Sequence, residues 1–230
     1  GYYKTANFNL SGPSHIDESW DFGMVRISEY GDAPYGTLTA WAGTTTDADS
    51  ALAARHIILG EGNSALKLGK LRDVENDGQP TTQANGDDAN PVDSDDEDGV
   101  KWPGVVKDVA GTGEYGVLLY DVANSIQITV TSPNTATGIV NAWIDWNQDN
   151  DWNDAGEQIA TNKSIGSTGG GIITLSVTPP AGAKLGTTYA RVRLSQEAGL
   201  LPTGTAIDGE VEDYRIQVID KPVKSIKATS

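Results

Sequence analysis

From residue 116 to residue 219 apolar side chains recur at every second position, in runs broken by Gly, Pro or Asn. "GVLLYDV" (116–122) and "SIQITVT" (125–131) are the first two runs. "GIVNAWIDW" (138–146) places Val140, Ala142, Ile144 and Trp146 on one face. "GIITLSVT" (171–178) sets Ile173, Leu175 and Val177 against Thr174, Ser176 and Thr178. "TTYARVRLS" (187–195) sets Ala190, Val192 and Leu194 against Tyr189, Arg191 and Arg193. "DYRIQVI" (213–219) puts Tyr214, Ile216 and Val218 together. A period of two with β-branched enrichment predicts strands, and six short strands joined by turns predict an all-β antiparallel β-sandwich.

The N-terminal half is less regular. "FGMVRISEY" (22–30) and "RHIILG" (55–60) read as strands, and "DADSALAARHI" (47–57) has room for a short helix with an acidic start. Residues 72–100 hold almost nothing apolar. A stretch that long and polar is either a disordered linker or a loop folded around metal. The expected organisation is one ligand-binding domain over 1–222, loop-rich over 1–100 with its sandwich core at 101–222. Residues 223–230, "VKSIKATS", read as a linker.

Composition narrows the class. Apolar residues are 37% of the 230, and glycine is abundant at 27, which fits a loop-rich β protein. There is no cysteine, which excludes disulfide stapling, thiol catalysis and Cys-based metal sites and fits a secreted protein that avoids thiols. No window approaches the roughly 18 apolar residues of a membrane span. No signal peptide is visible, so an excised or processed segment is expected.

The net charge of −16 is concentrated rather than spread. Residues 73–98 carry ten acids, residues 145–157 five and residues 208–213 four, with no base in any of the three segments. Those nineteen of 32 acids leave thirteen against all 16 bases, a nearly balanced remainder. Nucleic acid is excluded as a partner, because phosphate binding needs a basic footprint. Bound cations are the natural counter-charge.

"IDWNQDNDWNDAGE" (144–157) is the densest case. Ca²⁺ takes six to eight oxygen ligands, and a short loop supplies them when acids or amides recur at alternate positions. Asp145, Asn147, Asp149 and Asp151 have that spacing, with Asp154 and Glu157 within reach. The loop is not an EF-hand: a strand precedes it, its terminal Glu comes one residue late, and its sixth position is Asn150, which tolerates the positive φ that Gly would supply. Trp146 and Trp152 are expected to pack at the loop ends, with ligand stacking by Trp152 as the sharper alternative. Asp87, Asp88, Asp93, Asp95, Asp96 and Asp98 form a second candidate cluster, beside Glu97, sufficient for one or two Ca²⁺. In "DGEVEDYRI" (208–216), Glu210 and Glu212 share a face and are expected beside Arg191 or Arg193, as a salt bridge or as a metal or ligand site.

"EYGDAPYGTL" (29–38), "ARHIILG" (54–60), "DGQP" (77–80), "DDEDGV" (95–100), "AWIDWNQDNDWNDAGE" (142–157), "YARVRLS" (189–195) and "GEVEDY" (209–214) occur in this order. Together they resemble the GEVED-type domain of bacterial secreted and surface proteins, over about residues 29–219. The resemblance implies an extracellular β-sandwich module on the bacterial cell surface, a monomer within a larger multidomain chain. Related modules sit in giant RTX-type adhesins, where one type captures peptides, including protein C-termini. It therefore implies a calcium-dependent adhesion module that binds a peptide or protein on another cell or surface, with no membrane insertion. A calcium-dependent carbohydrate-binding module and a calcium-rigidified spacer are the alternatives. Trp20, Trp41, Trp102, Trp146 and Trp152 are the candidate sugar platforms, each of which also reads as packing.

An enzyme is not expected. No H-E-x-x-H, G-x-S-x-G or P-loop pattern is present. Of the two histidines, His56 reads as a satisfied core residue and His15 as a surface loop residue.

Overall fold

The computed structural model describes residues 28–34, 54–58, 66–72, 74, 78–86, 96–107, 114–132, 137–165 and 169–222. Expectations for the strand start at 22–27, the helix over 47–53, His15, Trp20, Trp41, Asp87, Asp88, Asp93, Asp95 and the 223–230 linker lie outside these residues.

Thirteen strands, and no helix, make up the regular structure of the described residues. They are β1 (Ser28–Tyr30), β2 (Arg55–Ile57), β3 (Lys67–Leu68), β4 (Val100–Lys101), β5 (Gly104–Lys107), β6 (Glu114–Leu119) and β7 (Asn124–Thr131). Then follow β8 (Ile139–Ile144), β9 (Gln158–Ser164), β10 (Gly171–Val177), β11 (Gly186–Ser195), β12 (Thr205–Ile207) and β13 (Glu210–Ile219). All six expected C-terminal strands are present, and β13 begins three residues earlier than its apolar run.

A six-stranded sheet runs β5-β6-β13-β11-β8-β9. A second sheet runs β10-β7-β3, with β4 also pairing β7. The two are held together by one apolar cluster drawn from both: Ile126, Ile128, Val130, Leu175 and Val177 on one side, Val140, Ala142, Ile144, Val192, Leu194 and Ile216 on the other. This is the sandwich, but it is not purely antiparallel. β13 runs parallel to β6, and β12 runs parallel to β2. The core also reaches further toward the N-terminus than residue 101, since Leu66 and Leu68 are fully buried within it.

A third, small sheet, β1-β2-β12, lies over the outer face of the six-stranded sheet. Glu29 in β1 accepts from Val211 N of β13, and His56 in β2 receives Arg193 Nε of β11. Both faces of β11 are consequently buried. Ala190, Val192 and Leu194 face the apolar core, and Arg191, Arg193 and Ser195 face a polar layer beneath the small sheet. β10 follows the simpler rule, with Leu175 and Val177 inward and Ile172, Thr174 and Ser176 exposed.

β9, "QIATNKS", carries no apolar alternation. Its pairing with β8 is interrupted by register shifts around Val140–Trp143. Asn162 has φ 48°, and its amide donates to Asn141 Oδ1 at 3.0 Å. A bulged edge strand breaks the period that would have revealed it.

Candidate metal centre

The 144–157 loop leaves the end of β8 and returns at β9, and both stems are pinned. Ile144 N donates to Glu157 O at 2.9 Å, and Asp145 N donates to Tyr189 O of β11 at 3.2 Å. Thr188 Oγ1 donates to Asp145 O. Trp146 is buried in the main core, and its indole N–H closes the loop on Gly156 O at 3.1 Å. Trp152 is buried with Ala33 and Trp143, and the Arg191 guanidinium lies 4.5 Å from its ring centroid. Both tryptophans therefore anchor the loop, and Trp152 offers no open stacking face to a ligand.

Between these anchors the chain curls through alternate carboxylates. Asp149 N donates to Asn147 Oδ1 at 2.9 Å, Asn150 N to Asp145 Oδ2 at 3.1 Å, Asp151 N to Asp149 Oδ1 at 3.2 Å and Asn153 N to Asp151 Oδ1 at 2.8 Å. Such Asx-type bonds let a short acidic side chain turn its own backbone. Asn150 has φ 70°, the left-handed conformation expected of it, and Gln148 at φ 53° and Gly156 at φ 93° supply two further turns. Glu157 reaches back across the loop, accepting from Trp146 N at 3.1 Å and Asp154 N at 3.2 Å.

Two groups of carboxylates converge. One oxygen from each of Asp145, Asp149 and Glu157 lies within 4.8 Å of the others, as does one from each of Asp149, Asp151 and Asp154. Asn147 is drawn in as well, its amide donating to Asp149 and Asp154. Asp145 and Glu157 form the buried wall, Asp149 and Asp154 the exposed rim. Burial, partly opposed by backbone N–H bonds, pushes the carboxyl of Asp145 up to about 6. Burial also takes Glu157 to about 7, with the charge of Asp145 adding to it. An all-oxygen set with a sealed wall and a wet rim fits a hard divalent cation, because positive charge would relieve the repulsion that raises these groups.

Glu210 and Glu212 are not beside Arg191 and Arg193. They point into the sandwich on the same face as Tyr214, whereas the arginines lie on the opposite face with Val211 and Asp213. Arg191 pairs in register with Asp213 and grips it twice, Nε to Oδ1 at 2.7 Å and Nη2 to Oδ2 at 2.6 Å. Asp213 Oδ2 also takes Ala33 N at 2.7 Å, which seats the 31–34 segment over the sheet. Arg193 donates from Nε to His56 Nε2 at 3.1 Å, from Nη1 to Leu201 O and Thr203 O, and from Nη2 to Arg55 O and Gly204 O. All five of its N–H groups are satisfied within the chain, so Arg193 presents none to an outside ligand. Period-two alternation carried back from Tyr214 through Glu212 to Glu210 already points both inward, away from the face of Arg191 and Arg193.

On the inner face, Glu212 accepts from Gly99 N at 2.9 Å and from the Tyr214 hydroxyl at 2.7 Å, and Glu210 accepts from Leu68 N. Burial pushes both carboxyls well above the usual range; like charges add, Glu212 on Glu210 and Asp98 and Asp96 on Glu212. Asp96 is buried close by, while the exposed Asp98 is engaged with Lys70 N at 2.7 Å. Of the second acidic cluster, Asp96, Glu97 and Asp98 are the described members.

No helix of the described residues is long and apolar enough to cross a membrane. No curated protein and no solved structure matches the chain. Residues 139–217, from the start of β8 to near the end of β13, match the family model of the GEVED domain, so this span carries a GEVED-type domain.

Proposed function

We propose that the chain is an extracellular, calcium-dependent adhesion module of the bacterial cell surface, a non-enzymatic monomeric unit of a longer multidomain protein. The observation that carries this reading is the convergence of Asp145, Asp149 and Glu157 in a loop without a base, backed by buried tryptophans. Asp145 and Glu157 would hold Ca²⁺ from the core side, and Asp149, Asp151 and Asp154 from the rim. Bound Ca²⁺ would supply the positive charge that a carboxylate-bearing ligand needs on a protein of net charge −16.

The ligand class that fits is a peptide or protein C-terminus. The exposed rim leaves one side of the loop open to a carboxylate from outside. Among the described residues the candidate sugar platforms Trp102, Trp146 and Trp152 are buried, which supports the peptide over a glycan at this face.

Calorimetry of the decalcified chain tests the ion, with Kd expected on the order of 10⁻⁴–10⁻³ M, as for extracellular modules. Peptide-terminus and glycan arrays, each with Ca²⁺ and with EDTA, test the ligand. Capture of free-carboxylate peptides but not their amidated forms, lost in EDTA, is the expected result. Glycan capture instead would replace the ligand class, calcium uptake without any ligand would leave a rigid spacer, and no heat of calcium uptake would end the proposal.

A further inference from the structure

The outer face of β13 is covered in steps. At Val211 the cover is β1, through Glu29, and at Asp213 it is the 31–34 segment, through Ala33 N. At Arg215, next on that face, it thins to the 81–84 turn, which Ala84 N closes on Thr81 O at 3.1 Å. Arg215 is half-buried there, and Ile219 further along the same face is exposed. Its neighbours across the sheet are both tyrosines. The guanidinium lies 4.8 Å from the ring centroid of Tyr115 on β6, and Tyr189 of β11 is its partner in register. The Tyr189 hydroxyl donates to Thr82 O at 2.9 Å, and the ring also packs against the Trp143–Trp152 cluster beside the acidic loop.

The two arginines of β11 are fully used. Arg191 holds Asp213 through its Nε–Nη2 edge, and Arg193 places all five N–H groups on acceptors. Arg215 makes one hydrogen bond, Nη1 to Gln83 Oε1. No carboxylate of the described residues lies within ion-pair reach of it. Its Nε is enclosed and has no acceptor. The edge with which Arg191 grips a carboxylate is therefore, in Arg215, without a partner. An enclosed N–H left unmatched is costly, and a carboxylate matches that edge with two parallel charge-assisted bonds. Gln83 offers only a neutral oxygen, and it sits half-buried on a surface turn, so rotation of one side chain opens the fork. On a chain of net charge −16, a cation without an acid beside it is where an anionic group can dock. A planar carboxylate of single charge suits the site better than a tetrahedral phosphate of nearly double charge.

We propose that the Nε–Nη2 edge of Arg215, flanked by Tyr115 and Tyr189 and latched by Gln83, is a carboxylate-binding subsite on the outer face of the six-stranded sheet. It needs no calcium, so it stands or falls apart from the loop site.

The test follows the Arg215 Nε–H resonance of the full ¹⁵N-labelled chain, assigned by its loss in Arg215→Lys. Sodium acetate is titrated against acetamide, sodium chloride and inorganic phosphate at matched ionic strength. Acetate should move the resonance saturably, with Kd on the order of 10 mM for one charge-assisted pair, and acetamide and chloride should not. The titration should be the same in EDTA, so a failure of calcium uptake leaves this result standing. Gln83→Ala, which removes the competing oxygen, should tighten acetate at least twofold. The backbone amides of Tyr115 and Tyr189 report the same event, and in Arg215→Lys their response should weaken about tenfold, because an ammonium lacks the planar fork. If Arg215→Lys does not fold, the parent and Gln83→Ala titrations decide. A pentaalanine with a free C-terminus, set against an amidated peptide with one internal glutamate, tells a chain end from an acidic side chain as the natural source. No saturable shift with acetate, an equal shift with acetamide or chloride, or a tighter response to phosphate would overturn the proposal.

Discussion

Arg193 is a cation sealed beneath a sheet, with a histidine nitrogen and four carbonyls as its direct partners. Burial, with the Arg191 charge adding to it, lowers its pKa to about 9, so it still carries its proton at neutral pH. Removing it leaves five acceptors unsatisfied in a dry layer. Arg193→Ala should lose about 3–5 kcal/mol of unfolding free energy. Arg193→Lys should recover only part of this, because an ammonium has three donors and no planar fork. Urea denaturation measures both; a loss below about 1 kcal/mol for the alanine variant would show that water fills the layer. His56 is fixed by the same bonds. Its Nε2 accepts from Arg193 and its Nδ1 lies 2.8 Å from Asp208 O, which requires the Nδ1–H tautomer. Burial, then the Arg193 charge, holds its pKa well below the usual value. The native ring should stay neutral while the unfolded chain takes up a proton below about pH 6.5. His56 therefore removes stability as pH falls through that value. Imidazole ¹⁵N shifts should show a neutral Nδ1–H ring unchanged from pH 8 to 5; a titration near 6.5 would mean the contact with Arg193 is broken in solution.

At the scale of the element, the alternation that reveals a strand tells which side chains share a face, not what covers that face. In β10 the polar face is wet, and the sequence reading holds. In β11 and β13 the polar face is buried under the small sheet, and nothing in the period of Arg191 and Arg193 announces it. The acidic loop was more legible, because alternate carboxylates curl a short chain by local bonds that need no distant partner. Even there, the reach of Glu157 back to Trp146 N depends on β9 returning beside β8. If the loop holds Ca²⁺, the ion competes with protons on Asp145 and Glu157. These groups sit at about 6 and about 7 without it. Affinity should therefore fall about a hundredfold between pH 7.5 and 5.5. The empty loop carries the opposite sign: carboxyls raised by burial stabilise the fold at low pH and lose that contribution as pH rises through 6 to 7. Calorimetry across this range, with Asp149→Asn as the variant of weakened affinity, checks the slope; a flat profile would place the ion elsewhere. The β12–β13 junction gives a sharper steric test. Gly209 turns at φ 88°, and a Cβ there would lie 1.8 Å from Leu194 O. Gly209→Ala should fail to fold or melt far below the parent in a thermal scan.

For the whole molecule, the decisive arrangement is three layers rather than two. The apolar sandwich was readable from residue 116 onward. The third layer was not, since β1, β2 and β12 have three residues each, and β2 finds β12 only across about 150 positions of sequence, Arg55 opposite Thr205. Layers of this kind link the loop to distant segments. Trp152 lies against Arg191, Arg191 holds Asp213, and Asp213 holds Ala33 N. Asp32 in turn takes Gly86 N at 2.7 Å, and Thr82 O takes the Tyr189 hydroxyl at 2.9 Å. Calcium bound at the loop would thus stabilise the whole fold rather than a surface turn. An ion that binds only the native state adds about 2.7 kcal/mol at a hundredfold excess over Kd, the condition reached near 10 mM for a Kd of about 10⁻⁴ M. For a chain of this size that corresponds to a melting temperature about 5–10 °C higher per ion. EDTA should remove the gain in one cooperative step, and the tryptophan and far-ultraviolet signals should move together. If chelation shifts the Trp152 environment while the melting temperature stays put, the loop is coupled only to itself, and the third layer is not carrying its strain to the core.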